Sequence, residues 1–197
     1  MKKSTSRFSV IIIIAIVAVV GYYAYLSNKS RAIKEETAMS FVESTLSRNL
    51  YSNYPPTPKE VLRYYNELQK CIYNEEPTAE QMEALVLKLR ELLDQELLDQ
   101  NSLAMHTIRL EEEVREFKEK KRKITGMAVA SSANVIYDTV DGYEFAKLNC
   151  SYNVMEDGTS NPTTQVFLLR KDGNRKWKIY GWKIMGTEDA AALDAAE

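Results

Sequence analysis

The sequence contains few of the side chains that bind metal ions or act as catalytic nucleophiles. Its 197 residues include one histidine, His106, and two cysteines, Cys71 and Cys150, which lie far apart and form no C-x-x-C pair. Structural zinc sites need clustered Cys and His ligands, so this composition argues against one. His106 follows no spacing that suggests a nucleophile and an orienting carboxylate beside it. We therefore predict no metal, no cofactor and no enzymatic activity.

Both cysteines are expected to be buried free thiols, with a disulfide as the alternative.

The sequence also lacks an excess of positive charge. It has 26 Lys and Arg residues against 28 Asp and Glu residues, for a formal net charge of −2. Nucleic-acid-binding proteins present a basic face that displaces the counterions of the phosphates. The charge balance therefore argues against a nucleic-acid partner.

Charge is missing altogether from one apolar run, Phe8 to Leu26. At about 1.5 Å per residue a helix here is roughly 28 Å long, close to the thickness of the hydrocarbon core of a bilayer. Tyrosines near its end stand where a cleaved signal peptide needs small residues. We predict a retained single-pass anchor at 8–26 in the cell membrane, with the tail 1–7 in the cytoplasm. A short basic tail ahead of a large domain favours that domain lying outside.

The part after the anchor predicts an α+β domain. We expect a juxtamembrane helix over 27–52, a globular domain over 53–186 and a flexible acidic tail over 187–197. Thr57-Pro58-Lys59-Glu60 and Thr78-Ala79-Glu80-Gln81 each predict a capped helix start. The second of these helices contains a tandem ELLDQ repeat over 91–100. Asn101 or Ser102 caps a fourth helix that extends to about Lys123.

Strand patterns replace helical ones from Ile124 onward. Asp-Gly pairs, which favour tight hairpins, separate runs of alternating or continuous apolar residues. The runs predict four antiparallel strands at about Met127–Val140, Tyr143–Met155, Thr164–Lys171 and Lys176–Met185. The third is apolar on both faces and should be central, and Gly181 indicates a bulge in the last. The expected fold is about four helices covering a four-stranded sheet.

Several stretches of the chain carry a resemblance to known proteins. They are Tyr54 to Val61, Tyr73-Asn74-Glu75-Glu76, Arg90 through Leu98 and the final Trp177 to Trp182 strand. Through them the chain resembles an uncharacterised family of bacterial single-anchor membrane proteins, for which no activity is known. The order of helices and strands also resembles the nuclear-transport-factor-two-like superfamily. That resemblance implies a cone-like domain in which helices lie across a strongly curved sheet.

Two groups of residues are candidate contact sites. The residues that could line a pocket in such a cone are Tyr143, Tyr152, Trp177, Tyr180 and Trp182. The residues that could contact an anionic surface, at the end of the fourth helix, are Lys118, Lys120, Lys121, Arg122 and Lys123. Core packing is the alternative role of the aromatic group, and favourable charge at a helix C-terminus is the alternative role of the basic group.

The sequence favours a non-enzymatic function for this anchored, extracytoplasmic domain. The first hypothesis is interaction with an unknown protein partner, or envelope assembly. The alternative is a ligand-binding or sensory domain whose cone holds a small molecule, and an enzyme with a pocket in the cone is the third possibility. A pocket lined by polar groups would favour the second or third hypothesis, and a cone filled by its own aromatic side chains would favour the first.

Overall fold

The computed structural model describes residues 39–185. The predicted anchor at 8–26 and the tail at 187–197 lie outside the described residues, as do residues 27–38 of the predicted juxtamembrane helix. Within the described part, none of the helices has both the length and the apolar character needed to cross a membrane.

The domain is α+β, as predicted, with the helices first and the strands afterwards. Residues 39–185 contain five α-helices rather than the four expected in the soluble part. They are α1 (Phe41–Leu46), α2 (Pro58–Asn74), α3 (Ala79–Glu91), α4 (Gln95–Gln100) and α5 (Leu103–Glu119).

Helix starts follow the predicted capping chemistry. The Thr57 side chain accepts a hydrogen bond from the Glu60 N–H, with Pro58 as the first residue of α2. Thr78 and Gln81 form the full reciprocal capping box of α3. Ser102 is the N-cap of α5. These local patterns are readable because each cap is satisfied within a few residues of sequence.

The extra helix arises from a break inside the ELLDQ repeat. Between α3 and α4 the Asp94 N–H donates to the carbonyl of Ile179 at 2.8 Å, and the Ile179 N–H donates to the carbonyl of Leu92 at 2.8 Å. The segment thus makes a short parallel bridge to the last strand. Because these backbone groups are bonded to the sheet, they are not bonded within a continuous helix, and the single predicted helix is divided.

The sheet has five strands within residues 39–185, so the prediction of four was wrong. They are β1 (Lys123–Val129), β2 (Ile136–Val140), β3 (Tyr143–Glu156), β4 (Thr159–Lys171) and β5 (Trp177–Ile184). All pairs are antiparallel, in the order β1-β3-β4-β5, with β2 also pairing with β3. The predicted central position of β4 is confirmed.

The additional strand comes from a division of the predicted run Met127–Val140. A short 3₁₀ turn at Ser132–Asn134 separates β1 from β2. β1 then pairs with the Cys150–Met155 part of β3, whereas β2 pairs with its Tyr143–Lys147 part. Both segments are apolar enough to be strands, so periodicity alone does not reveal the turn.

Two of the Asp-Gly pairs form the predicted tight hairpins. Asp141 and Gly142 have φ of 51° and 81°, and Asp157 and Gly158 have φ of 48° and 79°. Positive φ at both central residues is the geometry of a type I′ turn, which matches the twist of antiparallel strands.

The predicted bulge in the last strand is confirmed, and it changes which face Trp182 occupies. Leu168 lies opposite Gly181 and Leu169 lies opposite Ile179, so Tyr180 is the extra residue. Strict alternation would place Trp182 on the face away from Ile179. The bulge returns it to the face that packs on the helices, where it lies opposite Phe167.

Candidate functional site: a cleft between helices and sheet

The candidate site lies between α2, α5 and the helix-packed face of the sheet. Two adjoining cavities of about 290 and 590 Å³ meet there. Both are lined by Tyr65, Gln69, Tyr73, Glu113 and Trp182. We call this region the helix–sheet cleft. Its dimensions fall in the range of sites that take small molecules.

Helical periodicity explains how α2 contributes to the helix–sheet cleft. Tyr65, Gln69 and Tyr73 are spaced by four residues, so they form one stripe along the helix. Tyr65 is 5% exposed, whereas Gln69 is intermediate. The stripe therefore passes from the domain core into the cleft, and its polar tips reach a space that the core side chains leave unfilled.

Glu113 of α5 binds the end of that stripe. The Tyr73 hydroxyl donates to Glu113 Oε2 at 2.9 Å. Burial, followed by the negative charge of Glu113, raises the pKa of Tyr73 above its usual value. The phenol is therefore a stable hydrogen-bond donor to the carboxylate, and one carboxylate oxygen is already used.

Gln69 has the most unusual hydrogen-bonding state at the site. Its Oε1 is the one buried side-chain N or O atom of residues 39–185 without a hydrogen-bond partner in the protein. Burial raises the pKa of Tyr65 to about 12, and the neighbouring Gln69 amide partly opposes that effect. Leaving a buried amide oxygen unpaired costs about 1–3 kcal/mol, so this acceptor calls for a partner from outside the protein.

A second polar chain closes the sheet side of the helix–sheet cleft. The Tyr152 hydroxyl donates to Asn66 Oδ1 at 2.9 Å, and Asn66 Nδ2 donates to Cys150 Sγ at 3.2 Å. Burial is the first cause of the raised pKa values of both Tyr152 and Cys150. These mutual hydrogen bonds fix the position of the Tyr152 side chain in that wall.

Aromatic rings form the apolar surface of the helix–sheet cleft. Trp182 stacks on Phe167 with ring centroids 6.0 Å apart, and it lies 6.3 Å from Tyr65. Phe167 is fully buried, whereas Trp182 is 45% exposed. Trp182 therefore lies at the mouth of the cleft, on a rigid aromatic base.

His106 lines the smaller of the two cavities. Its Nδ1 lies 3.2 Å from an Nη atom of Arg90. Since a guanidinium can only donate, this contact requires an unprotonated Nδ1. Burial, with Arg90 as the second cause, lowers the pKa of His106. The neutral imidazole is thus held by a cation, an arrangement unlike the carboxylate-paired histidine of a catalytic triad.

The structure brings together only part of the predicted aromatic group. Tyr152 and Trp182 line the helix–sheet cleft. Trp177 is buried elsewhere, 5.8 Å from the ring of Tyr137. Tyr143 and Tyr180 lie on the opposite face of the sheet, on either side of the Arg170 guanidinium.

That opposite face carries an ion-pair cluster centred on Arg170. The guanidinium donates to Asp94 through Nε at 3.0 Å and an Nη atom at 2.6 Å, and to Glu96 Oε1 at 2.7 Å. The Tyr180 hydroxyl donates to the other oxygen of Glu96 at 3.0 Å. Hydrogen bonding to these carboxylates raises the pKa of Arg170. These mutual bonds tie α4 to the sheet, which is a structural role.

Three of the five basic residues predicted for an anionic surface have partners in the protein. Lys120 pairs with Glu116, and Arg122 pairs with Glu156 at 2.8 Å. The Lys118 ammonium donates to the carbonyl of Glu75 at 3.4 Å. The other two, Lys121 and Lys123, are exposed.

Tyr65, Gln69, Tyr73 and Glu113 were missed as a group by sequence reasoning. The spacing of the first three was visible, but tyrosines on an amphipathic helix are ordinarily assigned to the core. Their approach to Glu113 and Trp182 depends on contacts between residues 40 to 117 positions apart, which no local pattern encodes.

Comparison with known proteins gives one match. A family model described as Domain of unknown function (DUF6715) matches residues 1–182. No curated protein matches the chain.

Proposed function

The chain belongs to the DUF6715 family, whose description names no activity, and we propose that it is a membrane-anchored, non-enzymatic domain that binds a small molecule in the helix–sheet cleft. The observation that carries the proposal is the pair of adjoining cavities, of about 290 and 590 Å³, bounded by aromatic and polar side chains. Ligand sites typically combine an apolar wall with a few fixed polar groups. Tyr65, Gln69 and Trp182 supply both.

The cone-like, nuclear-transport-factor-two-like fold is part of this proposal. Helices that precede an antiparallel sheet and pack on one face of it support it. The pocket expected for such a cone corresponds to the helix–sheet cleft. This location favours the ligand-binding hypothesis over a cone filled by its own side chains.

Anchoring rests on the uncharged run at 8–26. We place the N-terminus in the cytoplasm and the ligand-binding domain outside the cell membrane. Protease treatment of intact cells should digest the domain and leave a short membrane-protected fragment. A domain that survives until the cells are opened would contradict this orientation.

Binding in the helix–sheet cleft can be tested with a matched pair of variants. Thr163 lines the larger cavity, whereas its neighbour Thr164 lies on the other face of the sheet and contacts Ser151. A tryptophan at position 163 should fill the cavity, and one at position 164 should not. Equilibrium dialysis of 2-methoxynaphthalene against the full-length protein in lipid nanodiscs measures occupancy, with empty nanodiscs subtracted. We expect binding to the wild type and Thr164→Trp and loss in Thr163→Trp. Equal binding by all three would contradict the proposal.

Protein interaction is the second candidate function, and the exposed strand β2 favours it. All five residues of β2 are exposed, and Ile136 and Tyr137 are 61% and 59% exposed. Exposed apolar edge strands can pair with another chain. Cross-linking of the full-length protein in its own membrane tests this role. Ile136→Lys should remove a specific cross-linked species, whereas Ile108→Lys, at an exposed isoleucine of α5, should retain it. A species unaffected by Ile136→Lys would contradict an interface at β2.

A further inference from the structure

The unpaired oxygen of Gln69 and the charge balance around it restrict what the helix–sheet cleft can bind. We infer that its ligand is an uncharged, mainly apolar molecule with an O–H or N–H group that donates to Gln69 Oε1. This inference rests on the proposed function and specifies its ligand class.

The first argument is the hydrogen-bond inventory of the cleft. Gln69 Oε1 is buried without a partner in the protein. Two neighbouring tyrosines are already engaged: Tyr73 with Glu113, and Tyr152 with Asn66. An amide oxygen can only accept, so a ligand that completes this inventory must bring a donor.

The second argument is that the charged residues of the cleft are already neutralised or hydrogen-bonded. Glu113 accepts from Tyr73, and Glu116 pairs with Lys120. Arg122 pairs with Glu156 at 2.8 Å, and Arg109 donates to Asn101 Oδ1 at 3.0 Å. Two cations and two carboxylates therefore line the cleft, and each is engaged. These four charges sum to zero, so a charged ligand would lose its hydration without meeting a net charge of opposite sign, and an uncharged ligand is favoured.

The third argument is the shape and chemistry of the walls. Tyr65 and Trp182 present aromatic surface, and leucines of α3 and α5 add aliphatic surface in the smaller cavity. Aromatic faces favour flat apolar bodies. The ligand class is therefore a cyclic or aromatic alcohol, phenol or neutral N–H compound.

Two probes that differ only at the donor test this inference. 2-Naphthol carries an O–H, and 2-methoxynaphthalene replaces that hydrogen with a methyl group. Their free concentrations are measured by equilibrium dialysis against the full-length protein in nanodiscs, with empty nanodiscs subtracted. We expect 2-naphthol to bind the wild type about fivefold more tightly, which is the equilibrium effect of one net hydrogen bond. The charged analogue 2-naphthoate should bind more weakly than either.

Variants at two glutamines identify the acceptor. Gln69→Met keeps the length of the side chain and removes the oxygen, so the affinity ratio should fall to about one. Gln100→Met is the matched control, at an exposed position near the end of α4, and it should keep the wild-type ratio. A ratio near one in the wild type overturns the inference without any variant, even if Gln69→Met fails to fold. A preference for 2-naphthol that persists in Gln69→Met overturns it too, because the preference then comes from size or another acceptor.

Failure of the inference is distinguishable from failure of the proposed function. If both probes bind equally and Thr163→Trp abolishes their binding, the cleft is a ligand site and the donor requirement is wrong. If neither probe binds above the empty nanodiscs, ligand binding in the cleft is wrong, and the inference fails with it.

Discussion

Replacing Arg170 should destabilise the domain far more than replacing an arginine of a surface ion pair. The Arg170 side chain is 14% exposed, and that of its partner Asp94 is 4% exposed. Arg170→Met leaves the Asp94 carboxylate buried without its two charge-assisted hydrogen bonds. Removing one partner of a buried pair costs about 3–5 kcal/mol because the remaining charge is not compensated.

The matched control is Arg115→Met. Arg115 and Glu119 form an i,i+4 pair whose side chains are 71% and 69% exposed. Exposed pairs of this kind contribute about 0–1 kcal/mol. Urea unfolding of the full-length protein in mild detergent, followed by tryptophan fluorescence, gives the free energy of unfolding of each variant.

A double variant separates the buried charge from the lost packing. Asp94 is also the N-cap of α4, where its Oδ1 accepts from the Glu96 N–H. Asparagine caps helices about as well as aspartate, so Asp94→Asn removes the charge and keeps the cap. Asp94→Asn combined with Arg170→Met should be more stable than Arg170→Met alone. The reasoning is refuted if Arg170→Met costs no more than Arg115→Met, or if the double variant is the least stable of the set.

Three further predictions concern pH, thiols and a turn. Because burial lowers the pKa of His106, the unfolded chain binds the proton more readily. Stability should therefore fall as pH drops through about 6.5 towards the folded-state pKa. The melting temperature of His106→Gln should lack that part of the fall, and a pH profile identical to that of the wild type would contradict the prediction. Burial raises the pKa of both free thiols, Cys71 and Cys150. Ellman's reagent should therefore label them only after unfolding, and rapid labelling of the native protein would be inconsistent with their burial. Gly158 has φ of 79° and no atoms near the position that a Cβ would take, whereas Gly173 has equal space without the positive φ. Gly158→Ala should therefore lower the free energy of unfolding by about 1 kcal/mol, and Gly173→Ala by less. Equal losses in urea unfolding would argue against backbone strain at Gly158.

The sequence predicts those parts of the fold whose causes lie within a few residues. The capping box at Thr78 and the turns at Asp141 and Asp157 are satisfied by near neighbours. The bulge beside Gly181 is also locally marked. In each case a side chain or a permissive backbone position determines the conformation directly.

The breaks that the sequence does not predict depend on distant partners. The helical pattern continues through Leu92 and Asp94, but their backbone groups bond to Ile179. Likewise, Asp94 and Arg170 are 76 residues apart in the chain, so their ion pair has no local signal. Tertiary hydrogen bonds outweigh local propensity at these positions.

The candidate site was predictable only in part for the same reason. Tyr152 and Trp182 were identified from alternation and aromatic content, and both line the helix–sheet cleft. Tyr143 and Tyr180 are likewise aromatic residues of predicted strands, yet they lie on the other face of the sheet, beside Arg170. In the last strand the bulge at Tyr180 places Tyr180 and Trp182 on different faces, since a one-residue shift reverses the facing of a strand.

Native mass spectrometry of the full-length protein, released directly from its own membranes, tests ligand binding most directly. The account predicts that the wild type and Thr164→Trp carry a bound molecule of small mass and that Thr163→Trp does not. After its release into solution, that molecule should be uncharged. Wild-type protein that carries no small molecule, or a molecule that also remains on Thr163→Trp, would contradict it.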